Sequence, residues 1–559
     1  MARVDGETLL ELFSRRLADS GDAPALYLPH GDGWRPLTWS ELGDRVFRTA
    51  AALKKLGVSP GERVVQLSEN RPEWIVADLA IQFAGAVHVP IHSTLAGPQV
   101  VEQVRDCGAR ILLVSTAAQA EKLSCAAALC NAIEVRSYEP ACDAIHDRTI
   151  HLLSELVGDV SDAEAADVHR HALSTIGPDD LATLIYTSGT TGEPRGVMLT
   201  QRNLTTNALA SLAMFDFASD DLRVGLLPLS HIYARTCDLY CWIGCGYQFA
   251  LARSRETSVA DCLALRPTGI NAVPYFYEKV LRASQELGRP LGELLGGRVR
   301  LCNSGGAALP NHVAEAFFAA GLPLMQGYGL TETSPVITLS TPTAHKLGAV
   351  GRTIADVEIR IADDGEILTR GPHVMRGYWN RPAATADVLK DGWFYTGDLG
   401  KIDADGYLTI TGRKKEIIVL ASGKNIAPVQ LEALLTEDPL IDQAVVVGDG
   451  RSYLVALLVV NQNESAAPGE KNNATGGDLL TELADRVARR LAGVSHHEQV
   501  RRFAVLDSPF SIEGGELTPT LKLRRGVIEE KYADTIAAMY ASASHRESHA
   551  TTAASSTKP

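Results

Sequence analysis

Apolar positions in the N-terminal part of the chain switch repeatedly between helical and strand-like spacing. Helical spacing extends over Glu73–Ala84 and Gly97–Cys107. Short apolar runs predict strands at Arg63–Leu67, Val87–Ile91 and Arg110–Ser115. Strands that alternate with helices are typical of parallel α/β layers, so the pattern predicts an α/β fold for this part of the chain.

The same alternation continues further along the chain and then changes character. It is weak over residues 121–176, where we expect helices and surface connections, and it resumes over Leu181–Thr369. Beyond that point, turn dipeptides such as Gly371-Pro372 and Asp405-Gly406 separate short strands, which predicts a small β-subdomain. The charged run Gly412–Glu416 then precedes a new apolar strand, and we expect a domain boundary there.

The residues after this boundary have an α+β pattern. The predicted helices and strands of this part are Ile417–Leu420, Pro428–Leu435, Ala444–Val447, Leu454–Val460 and Leu479–Leu491. The polar stretch Asn461–Gly477 predicts a flexible loop within it. The expected organisation is a large multilayer α/β domain with a small β-subdomain over residues 1–412, a small α+β domain over 413–540 and a disordered tail over 541–559.

Charge and composition exclude several classes of function. The chain has 559 residues, with 53 Lys and Arg against 67 Asp and Glu, a net charge of −14. This balance argues against nucleic acid or an anionic membrane as the main partner, although a local site can still bind a small anion. No apolar run reaches the roughly 18 residues of a membrane-spanning helix, and the nine cysteines include no C-x-x-C pair. We therefore expect a cytoplasmic protein with reduced thiols, and the sequence leaves oligomeric state and peripheral membrane contact open.

The run Tyr186–Gly196 carries the clearest chemical signal. Its sequence, YTSGTTGEPRG, follows the strand-like Leu181–Ile185 and has three glycines, four hydroxyl side chains and Arg195. Glycines let backbone N–H groups approach a ligand, hydroxyls add donors and the arginine adds positive charge, so the run suits phosphate binding. A flexible surface loop of the same composition is the alternative, and the Walker A pattern does not occur.

The run resembles the phosphate-binding signature of the AMP-forming acyl-CoA synthetases, an adenylate-forming superfamily. Further segments resemble that family in the same order: Ser304–Leu309, Gln326–Thr333, Tyr395–Asp398, Gly412–Glu416 and Leu517–Lys522. The segment Leu227–Arg235, with the sequence LPLSHIYAR, is most similar to long-chain fatty acyl-CoA synthetases. The resemblance extends over about residues 35–530 and implies the family's fold, with a mobile C-terminal domain.

The resemblance also implies a role for each motif residue. Phosphate binding falls to Thr187, Ser188, Gly189, Thr190, Thr191, Gly192 and Arg195. The nucleotide base falls to Gly305, Gly306, Ala307, Gln326, Gly327, Tyr328 and Gly329, with Tyr328 stacking on adenine. The remaining roles are Thr331 and Glu332 for Mg²⁺, Asp398 for ribose, Arg413 for ribose or phosphate, His231 for the acyl site, Lys415 as the hinge, Gly423 beside CoA and Lys522 between the substrate carboxylate and the α-phosphate.

Taken singly, several of these residues have a plainer interpretation. Tyr328 is compatible with a buried core position, Glu332 with a solvated surface acid and Asp398 with a turn acid. Arg413 is compatible with a solvated boundary charge, and His231 with a core histidine bonded to a backbone carbonyl. The cysteines at 237, 241 and 245 share a helical stripe, for which buried packing is favoured over a metal site.

Two positions depart from the family's pattern. Arg195 stands where the family usually has lysine, which keeps the charge but changes the geometry of a phosphate contact. Tyr275 follows Val273-Pro274 where the family often has arginine, which alters the acyl or nucleotide pocket.

The sequence thus predicts an enzyme that activates a fatty acid with ATP and Mg²⁺ to an acyl-adenylate and transfers the acyl group to coenzyme A. One rival is a related enzyme that uses another carboxylic acid or a carrier-protein acceptor. A second rival is a catalytically silent regulatory relative, against which the retention of Glu332, Asp398 and Lys522 counts.

Overall fold

The computed structural model describes residues 6–31, 33–140, 150–188, 194–461, 476–512, 514–518, 522–541 and 551–552. The chain forms two compact units. Unit 1 comprises Met1–Arg360, Leu368–Thr396 and Asp403–Leu408, and unit 2 comprises Ile361–Ile367, Gly397–Ile402 and Thr409–Pro559. The predicted boundary between residues 412 and 413 therefore falls within unit 2, and the hinge there stays a prediction.

The helices follow in chain order. They are α1 Leu9–Ser20, α2 Trp39–Lys55, α3 Pro72–Phe83, α4 Gly97–Cys107, α5 Ala117–Glu121, α6 Ala127–Ala132, α7 Leu153–Gly158, α8 Asp162–Thr175, α9 Gln201–Leu212, α10 Ile232–Ala234, α11 Cys241–Cys245, α12 Ser258–Leu265, α13 Pro274–Leu287, α14 Leu291–Leu294, α15 Asn311–Ala319, α16 Pro382–Val388, α17 Pro428–Thr436, α18 Gly476–Arg490, α19 Arg525–Lys531 and α20 Ala533–Ala541.

The strands are likewise given in chain order. They are β1 Pro24–His30, β2 Gly33–Thr38, β3 Arg63–Ser68, β4 Val87–His92, β5 Ile111–Val114, β6 Glu134–Ser137, β7 His151–Leu152, β8 Leu181–Ser188, β9 Pro194–Thr200, β10 Leu222–Gly225, β11 Gln248–Leu251, β12 Gly269–Ala272, β13 Leu301–Ser304, β14 Leu324–Gly329, β15 Val336–Leu339, β16 Arg352–Thr353, β17 Glu358–Ile361, β18 Glu366–Arg370, β19 Gly377–Tyr378, β20 Leu389–Lys390, β21 Trp393–Ile402, β22 Leu408–Arg413, β23 Ile418–Val419, β24 Asn425–Ile426, β25 Ile441–Val447, β26 Leu454–Val460, β27 Val500–Leu506 and β28 Thr551–Thr552.

Local sequence signals account for several of these boundaries. Helix α2 begins with a capping box, in which the Thr38 hydroxyl accepts the Glu41 N–H at 3.2 Å and the Glu41 carboxylate accepts the Thr38 N–H at 2.8 Å. Helix α4 begins with Pro98 in its first turn and ends at Gly108, which adopts φ 63°. Because these signals lie next to the elements they delimit, α4 has the predicted bounds.

Two large sheets carry the segments of the predicted phosphate and base sites. One has eight strands among the described residues, in the order β19-β9-β8-β4-β3-β5-β6-β7, with β8 and β9 antiparallel. The other has nine described strands, in the order β16-β15-β14-β13-β12-β10-β11-β1-β2. Helix α3 is buried from Trp74 to Phe83, within the core of unit 1. The predicted α/β alternation is confirmed.

The turn-rich segment contributes to a five-stranded sheet of β17, β18, β20, β21 and β22. Strand β18 lies between β17 and β21, and β22 pairs with β21. The turn-rich sequence had predicted short strands here, and these strands are present.

Unit 2 also contains a sheet in the order β25-β26-β27-β28. Strands β25 and β26 are antiparallel, whereas β26 and β27 are parallel. Helix α18 begins three residues before the predicted Leu479. Residues 462–475 of the predicted flexible loop lie outside the described residues, as does the predicted tail apart from Ala541 and β28.

The predicted cysteine stripe lies on a helix that changes its winding. Arg235–Tyr240 form a π-helix, and α11 continues from it. Both Arg235 and Asp238 are fully buried on this segment. Cys241 is buried, whereas Cys237 and Cys245 are half-buried, and the described residues contain no group of three potential metal ligands. Packing is therefore the better interpretation of the stripe.

Candidate active site

The predicted phosphate loop is the connection between two paired strands. Residues 189–193, which include Gly189, Thr190, Thr191 and Gly192, lie outside the described residues, and so does the side chain of Ser188. The strands on either side are described, and Thr187 pairs with Arg195 across the antiparallel ladder. The two ends of the loop are therefore adjacent on β8 and β9.

The base of this hairpin is held by Asp106. The Tyr186 hydroxyl donates to Asp106 at 2.6 Å, and Arg381 donates to the other carboxylate oxygen at 3.0 Å. A Cβ at Gly196 would lie 3.3 Å from both Trp379 and Tyr186. The glycine therefore lets these two side chains pack closely against the strand. The strand residues next to the loop are therefore tightly packed.

Glu332, the predicted metal ligand, has a partner that the sequence had not indicated. The Tyr378 hydroxyl donates to Glu332 Oε1 at 2.8 Å, and the Arg195 guanidinium lies 5.6 Å from the centroid of the same ring. Burial, reinforced by the Glu332 carboxylate, raises the pKa of Tyr378, so its hydroxyl remains a donor near neutral pH. One tyrosine therefore contacts both the predicted metal ligand and the predicted phosphate-binding cation.

The residues at this position fit a magnesium ion. Thr331 begins a short 3₁₀ turn, Thr331–Thr333, that also carries Glu332. A carboxylate and a hydroxyl are hard oxygen donors of the kind that Mg²⁺ prefers, and the tyrosine fixes one carboxylate oxygen from outside the site.

The glycine-rich segments of the predicted base site lie at two neighbouring parallel strands. Ser304, the last residue of β13, pairs with Gln326 within β14, so residues 305–307 lie beside residues 327–329, which end β14. A Cβ at Gly329 would lie 1.8 Å from the Pro335 carbonyl oxygen, and one at Gly305 would lie 3.0 Å from the Tyr233 ring. At both positions the neighbouring atoms leave no room for a side chain, so glycine is required.

The other residues of this surface are more open. Gly306 adopts φ +85°, and both it and Ala307 are exposed. Tyr328 is half-buried and packs against the cluster that includes Val336, Ile337 and Ile354. A Cβ at Gly327 would lie 2.6 Å from Leu339, so this glycine also permits close packing. The half-exposed ring of Tyr328 is suited to stacking with a flat base.

His231 lies at the start of the short helix α10. Its Nδ1 accepts the Tyr233 N–H at 3.2 Å, so the imidazole caps the start of this helix. The preceding segment is held by Asn70, whose carboxamide bonds the Leu227 carbonyl at 2.7 Å and the Leu229 N–H at 2.8 Å. Ser230 bonds His92 Nδ1 at 2.7 Å, and burial lowers the pKa of His92 to about 4.

The chain beyond His231 is held by a buried polar network. Arg235 forms an ion pair with Asp78 and donates to Thr183 at 2.7 Å, while His88 Nδ1 lies 2.7 Å from the same Asp78 carboxylate. Burial by itself would raise the pKa of Asp78, but the charge of Arg235 and the hydrogen bond with His88 outweigh it and hold this pKa below its usual value. Arg235 of the LPLSHIYAR segment is therefore a structural residue.

In unit 2, the predicted ribose ligands lie together. Arg413 Nε is 3.0 Å from Asp398 Oδ1. Asp398 follows Gly397, whose N–H donates to Glu366 Oε1 at 2.9 Å. The other oxygen of Glu366 accepts Lys414 Nζ at 2.9 Å, and Asp364 accepts the same ammonium at 2.6 Å.

Lys415, the predicted hinge, lies between two anchored neighbours. Lys414 is bound to Asp364 and Glu366, which raise its pKa. On the other side, Glu416 lies 3.4 Å from Arg525, which also forms an ion pair with the buried Glu432.

The two remaining predicted residues are both exposed. Gly423 adopts φ +77° in the turn between β23 and β24, a conformation that favours glycine. Lys522 is exposed, and its backbone N–H and C=O bond Thr518 at 3.0 and 2.8 Å. Tyr275 is also exposed, at 58%, at the start of α13.

Sequence reasoning missed Tyr378 and Glu366. Tyr378 lies 46 residues from Glu332 along the chain, and Glu366 lies in an Asp-Gly-Glu turn of ordinary composition. The sequence around Tyr378 or Glu366 does not indicate either contact. The partners of these residues are distant in the sequence and become neighbours only when the strands assemble.

The chain is similar to known proteins over nearly all of its length. It matches the family described as AMP-binding enzyme over residues 13–379 and the AMP-binding enzyme C-terminal domain over residues 415–544. It is 35% identical to the long-chain-fatty-acid–CoA ligase FadD15 of Mycobacterium bovis, across 91% of this chain and 92% of that protein. It is 30% identical to the long-chain-fatty-acid–CoA ligase ACSBG2 of Gallus gallus, across 96% and 82%.

The fold of this chain is also similar to that of a solved structure. The o-succinylbenzoate coenzyme A synthetase MenE of Bacillus subtilis, in complex with ATP and magnesium ion, is 26% identical and superposes with a TM-score of 0.74 across 93% of this chain and 99% of that chain. The predicted fold class is confirmed. The chain belongs to the AMP-binding enzyme family, within the superfamily of AMP-forming acyl-CoA synthetases.

Proposed function

We propose that this protein is a long-chain fatty acid–CoA ligase that uses ATP and Mg²⁺. The observation that carries the proposal is the contact of Tyr378 with both Glu332 and Arg195 beside the β8–β9 hairpin. It supports one site for a metal-bound nucleotide phosphate, since a metal-binding acid and a cation share one anchoring side chain. The names of FadD15 and ACSBG2 support a long-chain fatty acid as the substrate.

The reaction has two steps. A carboxylate oxygen of the acid attacks the α-phosphorus of ATP and pyrophosphate leaves, which gives an acyl-adenylate. The thiol of CoA then loses its proton and attacks the acyl carbon, and AMP leaves. Both steps displace a good leaving group, so no covalent intermediate on the enzyme is needed.

The residues of the chain bind and orient the reactants in these steps. Tyr328 stacks on adenine, Asp398 and Arg413 bind the ribose, and the glycine loop with Arg195 binds phosphate oxygens. Thr331 and Glu332 hold Mg²⁺, which supplies positive charge against the phosphates when bound. Lys522 donates to the substrate carboxylate and the α-phosphate during adenylation, and its exposure is compatible with delivery by a moving loop.

The anchored neighbours of Lys415 support its role as the hinge. Lys414 is tied to Glu366 and Glu416 to Arg525, so a change of backbone angles at Lys415 would turn one set of contacts relative to the other. Rotation there would withdraw Lys522 and bring Gly423 beside CoA. No helix in the described part of the chain is long and apolar enough to cross a bilayer. A cytoplasmic location stays a prediction.

The experiment is a competition among acids. The purified protein is given ATP, Mg²⁺, CoA and an equimolar mixture of short, medium, long and aromatic carboxylic acids, and the acyl-CoA products are quantified by mass spectrometry. Long-chain acyl-CoA should dominate. Exchange of pyrophosphate into ATP with acids of another class alone would overturn the substrate assignment, and no exchange with any acid would overturn the activity.

A further inference from the structure

Glu366 joins two segments that are far apart in the sequence. Its side chain is 6% exposed, and its two oxygens face different partners. Oε1 accepts the backbone N–H of Gly397 at 2.9 Å, and Oε2 accepts Lys414 Nζ at 2.9 Å. The residue after Gly397 is Asp398, and the residue after Lys414 is Lys415.

We propose that Glu366 is a positioning residue that couples the Gly397-Asp398 turn to the backbone immediately before Lys415, so that ribose binding at this turn and the position of Lys414 depend on each other. The proposal rests on the proposed function, which assigns the ribose to Asp398 and the hinge to Lys415.

The geometry requires a carboxylate at this position. A buried carboxylate is costly unless each oxygen has a donor, and Gly397 and Lys414 supply one donor each. Gly397 adopts φ +74°, so the hydrogen bond holds a turn that most side chains would disfavour. Glutamine has a single acceptor oxygen, so it can satisfy only one of these two partners.

Asp364 provides a matched comparison. Its Oδ2 also accepts Lys414 at 2.6 Å, but its Oδ1 accepts the Glu366 N–H at 3.1 Å. Asp364 thus binds the same ammonium without bonding the Gly397 turn. If neutralising a charge near Lys414 were all that mattered, Asp364 and Glu366 would be equivalent.

The test is a double-mutant cycle on AMP affinity, measured by calorimetry on the full-length protein without CoA. The variants are Glu366→Gln, Lys414→Met and the double variant, with Asp364→Asn as the matched control. Lys414→Met should weaken AMP binding about threefold to tenfold when Glu366 is present, because a charged hydrogen bond that orients the turn is lost. It should have no further effect in the Glu366→Gln background, and it should keep its effect in the Asp364→Asn background.

The affinity for a second nucleotide distinguishes an effect on ribose binding from a general loss of stability of the fold. 2′,3′-Dideoxy-AMP lacks both hydroxyl groups that Asp398 would bind, so Lys414→Met should leave its affinity unchanged. This measurement needs only the substitution of a half-exposed lysine, and it remains decisive if Glu366→Gln does not fold.

The outcomes discriminate the two proposals. Additive effects of Lys414→Met and Glu366→Gln, or equal weakening of AMP and dideoxy-AMP by Lys414→Met, would overturn the role of Glu366 while leaving the ligase activity untouched. A wild-type protein that binds neither AMP nor ATP would instead overturn the proposed function itself.

Discussion

The hydroxyl of Tyr378 donates a 2.8 Å hydrogen bond to Oε1 of Glu332, and this bond orients the carboxylate proposed to hold Mg²⁺. Partners of metal ligands commonly fix the ligand's orientation, and their loss typically costs tenfold to hundredfold in metal affinity or activity. The contact therefore leads directly to a measurable prediction about the metal.

Tyr378→Phe should raise the free Mg²⁺ concentration needed for half-maximal ATP–pyrophosphate exchange by about tenfold, because the ring remains while the hydrogen bond is lost. Exchange at saturating Mg²⁺ should fall much less. Binding of Mn²⁺ in the presence of ATP, followed by electron paramagnetic resonance, gives a readout independent of turnover. Tyr407→Phe serves as the control, since the Tyr407 ring packs under Arg352. An unchanged metal requirement in Tyr378→Phe would contradict the assignment.

Lys522→Ala should lose ATP-dependent activation of the acid but still convert supplied acyl-adenylate to the thioester. The physical reason is that the proposed role of Lys522 is confined to offsetting charge in the adenylation step. The two half-reactions are measured separately, as pyrophosphate release and as acyl-CoA formation from synthetic acyl-adenylate. Lys401→Ala, which removes another exposed lysine of unit 2, is the control. Equal loss of both half-reactions would rule out this role.

Lys415→Pro should impair thioester formation more than adenylation, because proline restricts the backbone angle about which rotation is proposed. Lys415→Ala removes the side chain and leaves the backbone free, so its ratio of the two half-reaction rates should lie nearer that of the wild type. If both half-reactions of Lys415→Pro kept their wild-type rates, the hinge would lie elsewhere.

Gly329→Ala should abolish nucleotide binding and lower stability, because its new Cβ would lie 1.8 Å from the Pro335 carbonyl oxygen. Backbone must shift to relieve such a contact, and Tyr328 moves with it. AMP affinity and the midpoint of urea unfolding report the two effects. Gly158→Ala is the matched control, since a Cβ there meets no atom within 4 Å. Retention of normal AMP affinity by Gly329→Ala would contradict the role of this segment.

His373 should make the protein less stable in acid. It is buried, its Nε2 bonds Thr369 at 3.0 Å, and burial lowers its pKa to about 4. In the unfolded chain the pKa is about 6.5, so between these values the unfolded state binds the proton and the free energy of unfolding falls as pH falls. His373 contributes about 3 kcal/mol of this loss between pH 6.5 and pH 4.

His373→Gln should therefore reduce the difference between the urea unfolding midpoints at pH 6.5 and pH 4.5, since glutamine keeps an amide near Thr369 and does not titrate. His171→Gln, at an exposed position of α8, should leave that difference as in the wild type. An equal pH dependence in both variants would show that the pKa of His373 is the same in the folded and the unfolded protein.

Elements with local signals could be predicted from the sequence, whereas the packing of the site could not. Helix α4 and strand β26 have the predicted bounds, because a proline start, a glycine end or a run of apolar residues specifies them within a few positions. The π-helix at Arg235–Tyr240 was not predicted. Its buried Arg235 forms an ion pair with Asp78 and its buried Asp238 accepts a hydrogen bond from Asn271, and both partners come from other parts of the chain.

The motifs of the candidate site were likewise visible in the sequence, but their supports were not. Gly305 and Gln326 belong to segments that the resemblance singled out, and the pairing of β13 with β14 brings these segments together. Tyr378, Glu366 and Asp106 carry no comparable signal. Each is a common residue type in an ordinary context, and its contact depends on strand order.

The sequence by itself determined the alternation of helices and strands, the glycine-rich run Tyr186–Gly196 and membership of the adenylate-forming superfamily, because these depend on neighbouring residues and on the order of motifs. Only the tertiary structure decided that Tyr378 contacts both Glu332 and Arg195 and that Glu366 joins Gly397 to Lys414. Hydrogen bonds between distant residues require a particular strand order and register, and these arise from packing of the whole chain.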